Sequence, residues 1–208
     1  MPLSHLNISR RRLAAILGLL AMVGPFAIDS IFPAFRTLAN ELSVPDAAIQ
    51  QAISVYLLGY ALMSLLHGAL SDALGRKPVI LAGLSVFLLA SVGCALATDL
   101  NQLLMFRFIQ GLSAGVGLIV GRAVIRDVYD GNEAQRMMSM VSMIFSIAPA
   151  IAPIIGGYIL SWSHWQGIFW FLVALSALML LVVGMFLPES HPAPKRVPIH
   201  PVSLSQSY

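Results

Sequence analysis

Four stretches of this chain, Ala47 to Leu70, Pro78 to Ala97, Met137 to Leu160 and Gln166 to Leu187, contain no Asp, Glu, Lys or Arg. Two more come close: Leu13 to Phe35 carries only Asp29, and Leu103 to Ile125 only Arg107 and Arg122. A hydrocarbon core about 30 Å thick takes roughly 20 helical residues per crossing. With 58% of its residues hydrophobic and 10% charged, the chain has too little polar surface to cover these runs in water. The expected fold is therefore an all-α membrane protein whose six transmembrane helices occupy those six stretches, residues 13–187. The runs are too long and too uniformly apolar for the alternating strands of a membrane barrel.

Lysine and arginine set the orientation. Arg10, Arg11 and Arg12 precede the first run, Arg76 and Lys77 join the second to the third, Arg126 and Arg136 flank the fourth connection, and Lys195 and Arg196 follow the last. The alternate connections hold only Arg36. This bias places both termini in the cytoplasm, as an even number of crossings requires. The isoelectric point near 9.4 then reflects topology, and no nucleic-acid partner is expected. Residues 1–12 read as a basic cytoplasmic N-terminus. The proline-rich residues 188–208 read as a cytoplasmic tail without regular helix, for which disorder is expected. Ser9-Arg10-Arg11-Arg12 before an apolar run also suits a signal peptide, but that run is long enough to span and leads directly into further spans. Cys94, the single cysteine, sits in apolar surroundings as a packing residue.

The starts of the first three runs, shifted by about 90 residues, fall on the starts of the last three. Because three is odd, the second triplet is inverted in the membrane relative to the first. The chain reads as two inverted three-helix repeats.

Charge inside the spans is where chemistry is expected. Asp29 is the one acid deep within a predicted crossing, and an intramembrane carboxylate is costly enough to suggest a function. Arg107 lies at a similar depth, roughly 9 Å below the outer edge at about 1.5 Å per residue, so the two are expected to face each other directly or through water. Burial and a neighbouring cation act on such an acid in opposite senses, and a conformational change tips the balance, as proton coupling requires. Arg122 is read as snorkelling to the cytoplasmic interface. Asp127 sits at the C-terminal end of the fourth span, where the helix dipole disfavours an anion. It needs a cation: Arg76 is the candidate at matching depth, Arg126 the local alternative.

Between the second and third spans, Gly68-Ala-Leu-Ser-Asp72-Ala-Leu-Gly75-Arg76-Lys77 reads as a tight cytoplasmic turn, with Gly75 permitting the bend and Asp72 offering the bases a carboxylate. That order of residues resembles the signature between helices two and three of the major facilitator superfamily, with Ala73 where the family usually carries a base. Arg107-x-x-Gln110-Gly111 resembles its fourth-helix motif associated with proton transfer, although Gly111-x-x-x-Gly115 also reads as simple close packing. In the fifth span, Pro149 and Pro153 are expected to kink the helix. Pro153-x-x-Gly156-Gly157 resembles the drug and proton antiporter signature, with Ala152 in place of its usual glycine.

Together with Ala27-Ile-Asp29-Ser-Ile-Phe-Pro33-Ala34 in the first span, these motifs resemble the bicyclomycin-resistance (Bcr/CflA) group of exporters over Leu13 to Glu189. The resemblance implies multi-pass insertion in a bacterial inner membrane and export of small apolar drugs driven by the proton gradient, with no cofactor. It places Asp29, Arg107 and Gln110 at the proton or substrate site. Tyr56, Met63 and Met143 are candidates to line the substrate cavity. The group carries twelve helices, so this chain corresponds to an N-terminal half. It is expected to pair with itself or with a separate half, or else to be a transport-inactive form or a membrane interaction protein. His67, His164 and the serines form no nucleophile or metal constellation, so neither enzyme activity nor a metal is expected.

Overall fold

The computed structural model describes residues 8–195, and within them six helical segments are long and apolar enough to cross a membrane. They are Arg10–Glu41, Asp46–Leu74, Arg76–Ala95, Leu100–Val128, Gly131–Trp162 and Gln166–Phe186, so each expected run coincides with one helical segment to within two residues beyond its end.

Local chemistry sets the ends. Ser9 Oγ accepts a hydrogen bond from the Arg12 amide at 3.4 Å, so α1 (Arg10–Asp29) begins inside the arginine cluster rather than after it. Asp99 caps α6 (Leu100–Ala114) in the same way, accepting from the Gln102 amide at 2.9 Å. Two crossings are interrupted. The first stops at Asp29, passes through a 3-10 turn at Phe32–Ala34 and continues as α2 (Phe35–Glu41). Pro33 has no N–H to offer the Asp29 carbonyl four residues back, which accounts for the break. The fourth crossing is divided at Gly115 into α6 and α7 (Val116–Val128). The short α3 (Asp46–Ile49) leads into α4 (Gln51–Leu74), which α5 (Arg76–Ala95) follows. In the fifth crossing, α8 (Gly131–Trp162) runs through Pro149 and Pro153 without interruption, so neither proline breaks it. The last crossing is α9 (Gln166–Phe186).

The packing carries the repeat. α1 packs on α8 and α9, α4 on α6, and α5 on α6 and α9. Exchanging the first three crossings with the last three turns α1 on α8 into α6 on α4, turns α1 on α9 into α6 on α5, and leaves α5 on α9 unchanged. Helices meet most closely where side chains vanish: a Cβ on Gly156 would overlap the Ser30 carbonyl, and one on Gly111 the Tyr56 backbone. The first contact seats α8 against the break in α1. The second seats α6 against α4. The windows of α4 and α8 are the least buried, and their exposed side chains include Leu58, Leu62, Ile151 and Ile154.

The chain beyond α9 corrects one expectation. Residues 188–195 are not disordered: they turn back onto the bundle and end in a 3-10 turn at Ala193–Lys195. The remainder of the tail, 196–208, and residues 1–7 of the basic N-terminus lie outside the described residues. At the opposite end, buried Trp165 donates its indole N–H to Glu41 at 2.8 Å, tying α9 to α2.

Gly75 joins α4 to α5 at φ +100° and ψ 155°, a conformation that L side chains rarely adopt. Gly75→Val is therefore expected to cost about 1–3 kcal/mol, read as a lower Tm of the purified protein. Gly68→Ala, whose Cβ would meet open space, should leave Tm unchanged.

Candidate functional site

Arg107 is fully buried at the centre of the bundle. Its Nε donates to the Ala52 carbonyl at 3.2 Å and its Nη1 to the Ala27 carbonyl at 3.0 Å and to Gln110 Oε1 at 2.7 Å. The guanidinium lies 4.3 Å from the centroid of the Tyr56 ring, a cation–π contact. Gln110 passes the network on: its Nε2 donates to Ser91 Oγ at 2.7 Å, and Ser91 donates to the Phe87 carbonyl at 2.7 Å. Tyr56 donates its hydroxyl to the Gly24 carbonyl at 3.0 Å. One side chain thus joins α1, α4, α6 and α5. Among the described residues Arg107 Nη2 has no hydrogen-bond partner.

Asp29 and Arg107 form no direct ion pair. Arg107 reaches the turn of α1 that carries Asp29 and binds the Ala27 carbonyl, one of the last-turn acceptors that a helix end leaves without a helical donor. Among the described residues the Asp29 carboxylate has no hydrogen-bond or ion-pair partner. Gly156 lies against the next residue, Ser30, which brings the Pro153-x-x-Gly156-Gly157 motif beside the acid. Gly157 is not needed for that approach, since its nearest neighbour, Pro33, is 3.9 Å from a Cβ position.

An apolar cavity of about 150 Å³ opens between the first, second, fourth and fifth crossings, lined by residues including Pro25, Ile28, Leu57, Tyr60, Leu118 and Phe145. The residues expected to line a substrate cavity lie outside this one: Tyr56 is fully buried in the Arg107 network, Met63 lines a separate groove toward α5, and Met143 is 63% exposed. Tyr60, one turn beyond Tyr56, lines this cavity.

At the end of the bundle where α4 turns into α5, Arg76 joins two acids. Its Nε and Nη2 grip Asp127 at 2.8 and 3.2 Å, and its Nη1 reaches Asp72 at 2.6 Å and Ser71 Oγ at 2.6 Å. Asp127 therefore has the cation its helix end demands, from Arg76 and not Arg126. Lys77 donates its ammonium to the Gly184 carbonyl of α9 at 2.8 Å. Two residues that sequence reasoning passed over complete the cluster. The Glu189 carboxylate accepts from the amides of Arg76 and Lys77 at 3.0 and 3.2 Å, where the N-terminus of α5 favours an anion, and Ser190 donates to Asp127 at 3.0 Å.

Comparison with known proteins identifies the family. The family model of the Major Facilitator Superfamily matches residues 14–204. The uncharacterized MFS-type transporter YdgK of Bacillus subtilis is 37% identical over 91% of this chain and 48% of its own length. The bicyclomycin resistance protein homolog of Haemophilus influenzae is 32% identical over 88% and 46%, and multidrug resistance protein D of Escherichia coli 33% over 86% and 46%. The chain thus spans about half the length of the curated relatives it matches. The fold is also that of the human organic anion transporter MFSD10, with a TM-score of 0.74 at 20% identity over 96% of this chain and 53% of that one. The proton:xylose symporter XylE gives a TM-score of 0.76 at 14% identity over 87% of this chain and 45% of that one.

The roles of Tyr56 in the network separate by substitution. Tyr56→Phe keeps the ring against Arg107 and loses only the bond to Gly24, so it should cost about 1 kcal/mol. Tyr56→Leu also removes the ring and should cost about 1–2 kcal/mol more. Thermal unfolding of the two variants checks the order.

Proposed function

Because the chain belongs to the Major Facilitator Superfamily, we propose that it is one six-helix half of a proton-coupled exporter of small apolar drugs, set in a bacterial inner membrane with both termini in the cytoplasm. The observation that carries this reading is an unpartnered carboxylate, Asp29, on the same helical turn as the Ala27 carbonyl held by Arg107. An acid without a partner in the bilayer favours its protonated form. Bringing Arg107 Nη2 onto it favours release of the proton. A small shift of α1 against α6 therefore converts movement into proton exchange, and the adjacent apolar cavity links that movement to a ligand.

The cytoplasmic cluster supplies the second part. Arg76 ties the turn between α4 and α5 to the end of α7, holding these elements together on the inner side. Rocking needs a second bundle to move against. The exposed faces of α4 and α8 are available for one, either a second copy of this chain or a separate half. The same faces favour one further reading, a membrane interaction protein that binds a partner without transport.

In proteoliposomes, Asp29→Asn is expected to abolish drug-linked proton movement while leaving insertion unchanged. Drug transport against a gradient by Asp29→Asn at the parent's rate would remove Asp29 from the coupling role. Partner binding by the parent chain without drug-linked proton movement would favour the interaction protein.

A further inference from the structure

Ala114 and Leu118 both line the apolar cavity, and Arg122 follows at the same helical spacing one turn nearer the cytoplasm. It is exposed, and among the described residues its guanidinium has no hydrogen bond or ion pair. Asp127, the nearest acid in sequence, is held by Arg76 and Ser190. Snorkelling explains this cation poorly. Side chains on a helix tilt toward its N-terminus, and α7 runs toward the cytoplasm, so the tilt carries Arg122 toward the cavity and away from the interface. Tyr60, among the described residues the one cavity-lining side chain with a polar group, lies over the same stripe, its ring 3.3 Å from a Cβ position on Gly115, two turns before Arg122. An unneutralised cation inside a span is costly unless something of opposite charge visits it.

We infer that Arg122, on the helix face that Ala114 and Leu118 present to the cavity, forms an anion-recognition point next to it, so that the preferred substrates carry one acidic group on a small apolar body. The cavity's volume of about 150 Å³ suits a single aromatic ring. Its apolar walls take the ring, while the guanidinium accepts a carboxylate or sulfonate in a charge-assisted, two-pronged contact. This inference rests on the proposed reading of the cavity as the substrate site and narrows its substrate class.

The test uses the full chain in phosphatidylcholine nanodiscs, titrated calorimetrically with benzoate, benzyl alcohol and benzylammonium against empty nanodiscs. The parent is expected to bind benzoate about tenfold more tightly than benzyl alcohol. Arg122→Gln should lose that preference while binding benzyl alcohol as the parent does, Arg122→Lys should recover most of it, and Arg126→Gln should retain it. Equal binding of benzoate and benzyl alcohol by the parent, a preference for benzylammonium, or a benzoate preference surviving in Arg122→Gln overturns the anion site and leaves the cavity reading standing. An equal loss in Arg126→Gln assigns the effect to the general positive potential of the inner face and also overturns it. Failure of the parent to bind any of the three removes both readings.

Discussion

A guanidinium buried inside a bundle of apolar helices needs partners for its charge, and the set that Arg107 finds organises the helices around it. Among the described residues no carboxylate pairs with it. Two main-chain carbonyls, one side-chain amide oxygen and the face of Tyr56 share the charge instead. Each acceptor comes with a structural demand: Ala27 is available because α1 ends nearby, and Tyr56 is in reach because Gly111 lets α6 touch the backbone of α4. Dipoles offset part of a desolvation cost of several kcal/mol per ion and leave the rest to packing. The interruption of α1, the glycine contacts and the depth of Arg107 therefore form one arrangement.

The two well-held arginines solve the same problem in opposite ways. Arg76, at the membrane edge, is neutralised by Asp72 and Asp127, and its own helix start is capped by Glu189. Charge pairs are inexpensive where water reaches them, so this end of the bundle is held by ion pairs and by the returning chain. Deeper, Arg107 is balanced by neutral groups, which leaves Asp29 without a cation. An acid with no hydrogen-bond or ion-pair partner among the described residues thus lies on the same helical turn as the carbonyl held by Arg107, whose Nη2 is itself unused. Arg122 is the third case, a cation on the cavity stripe that neither solution reaches.

Much of this was legible in the sequence because it depends on local chemistry or on depth. Charge-free runs mark the crossings, and the anion at the end of α7 demands a cation at its own level, which Arg76 supplies. Gly75 carries the positive φ that a sharp turn between helices requires. Rotation about the helix axis was not legible. Asp29 and Arg107 share a depth, yet the group of that turn that the guanidinium binds directly is a carbonyl and not the carboxylate. Tyr56 and Tyr60 differ by one turn, and only packing against Arg107 places the first in the network and the second in the cavity. Ser91 is one serine in an apolar run until Gln110 lies opposite, and Glu189 belongs to a proline-rich tail until the end of α9 carries it to the start of α5.

The amino-acid sequence by itself determined that the chain carries six helices long and apolar enough to cross a membrane, and that two three-helix units repeat. Those properties follow from hydropathy, charge and helix rise, each additive along the chain. Tertiary structure decided which polar groups share a charge and which are left alone. That outcome depends on the facing of helices far apart in sequence, where a rotation of one residue exchanges a carboxylate for a carbonyl.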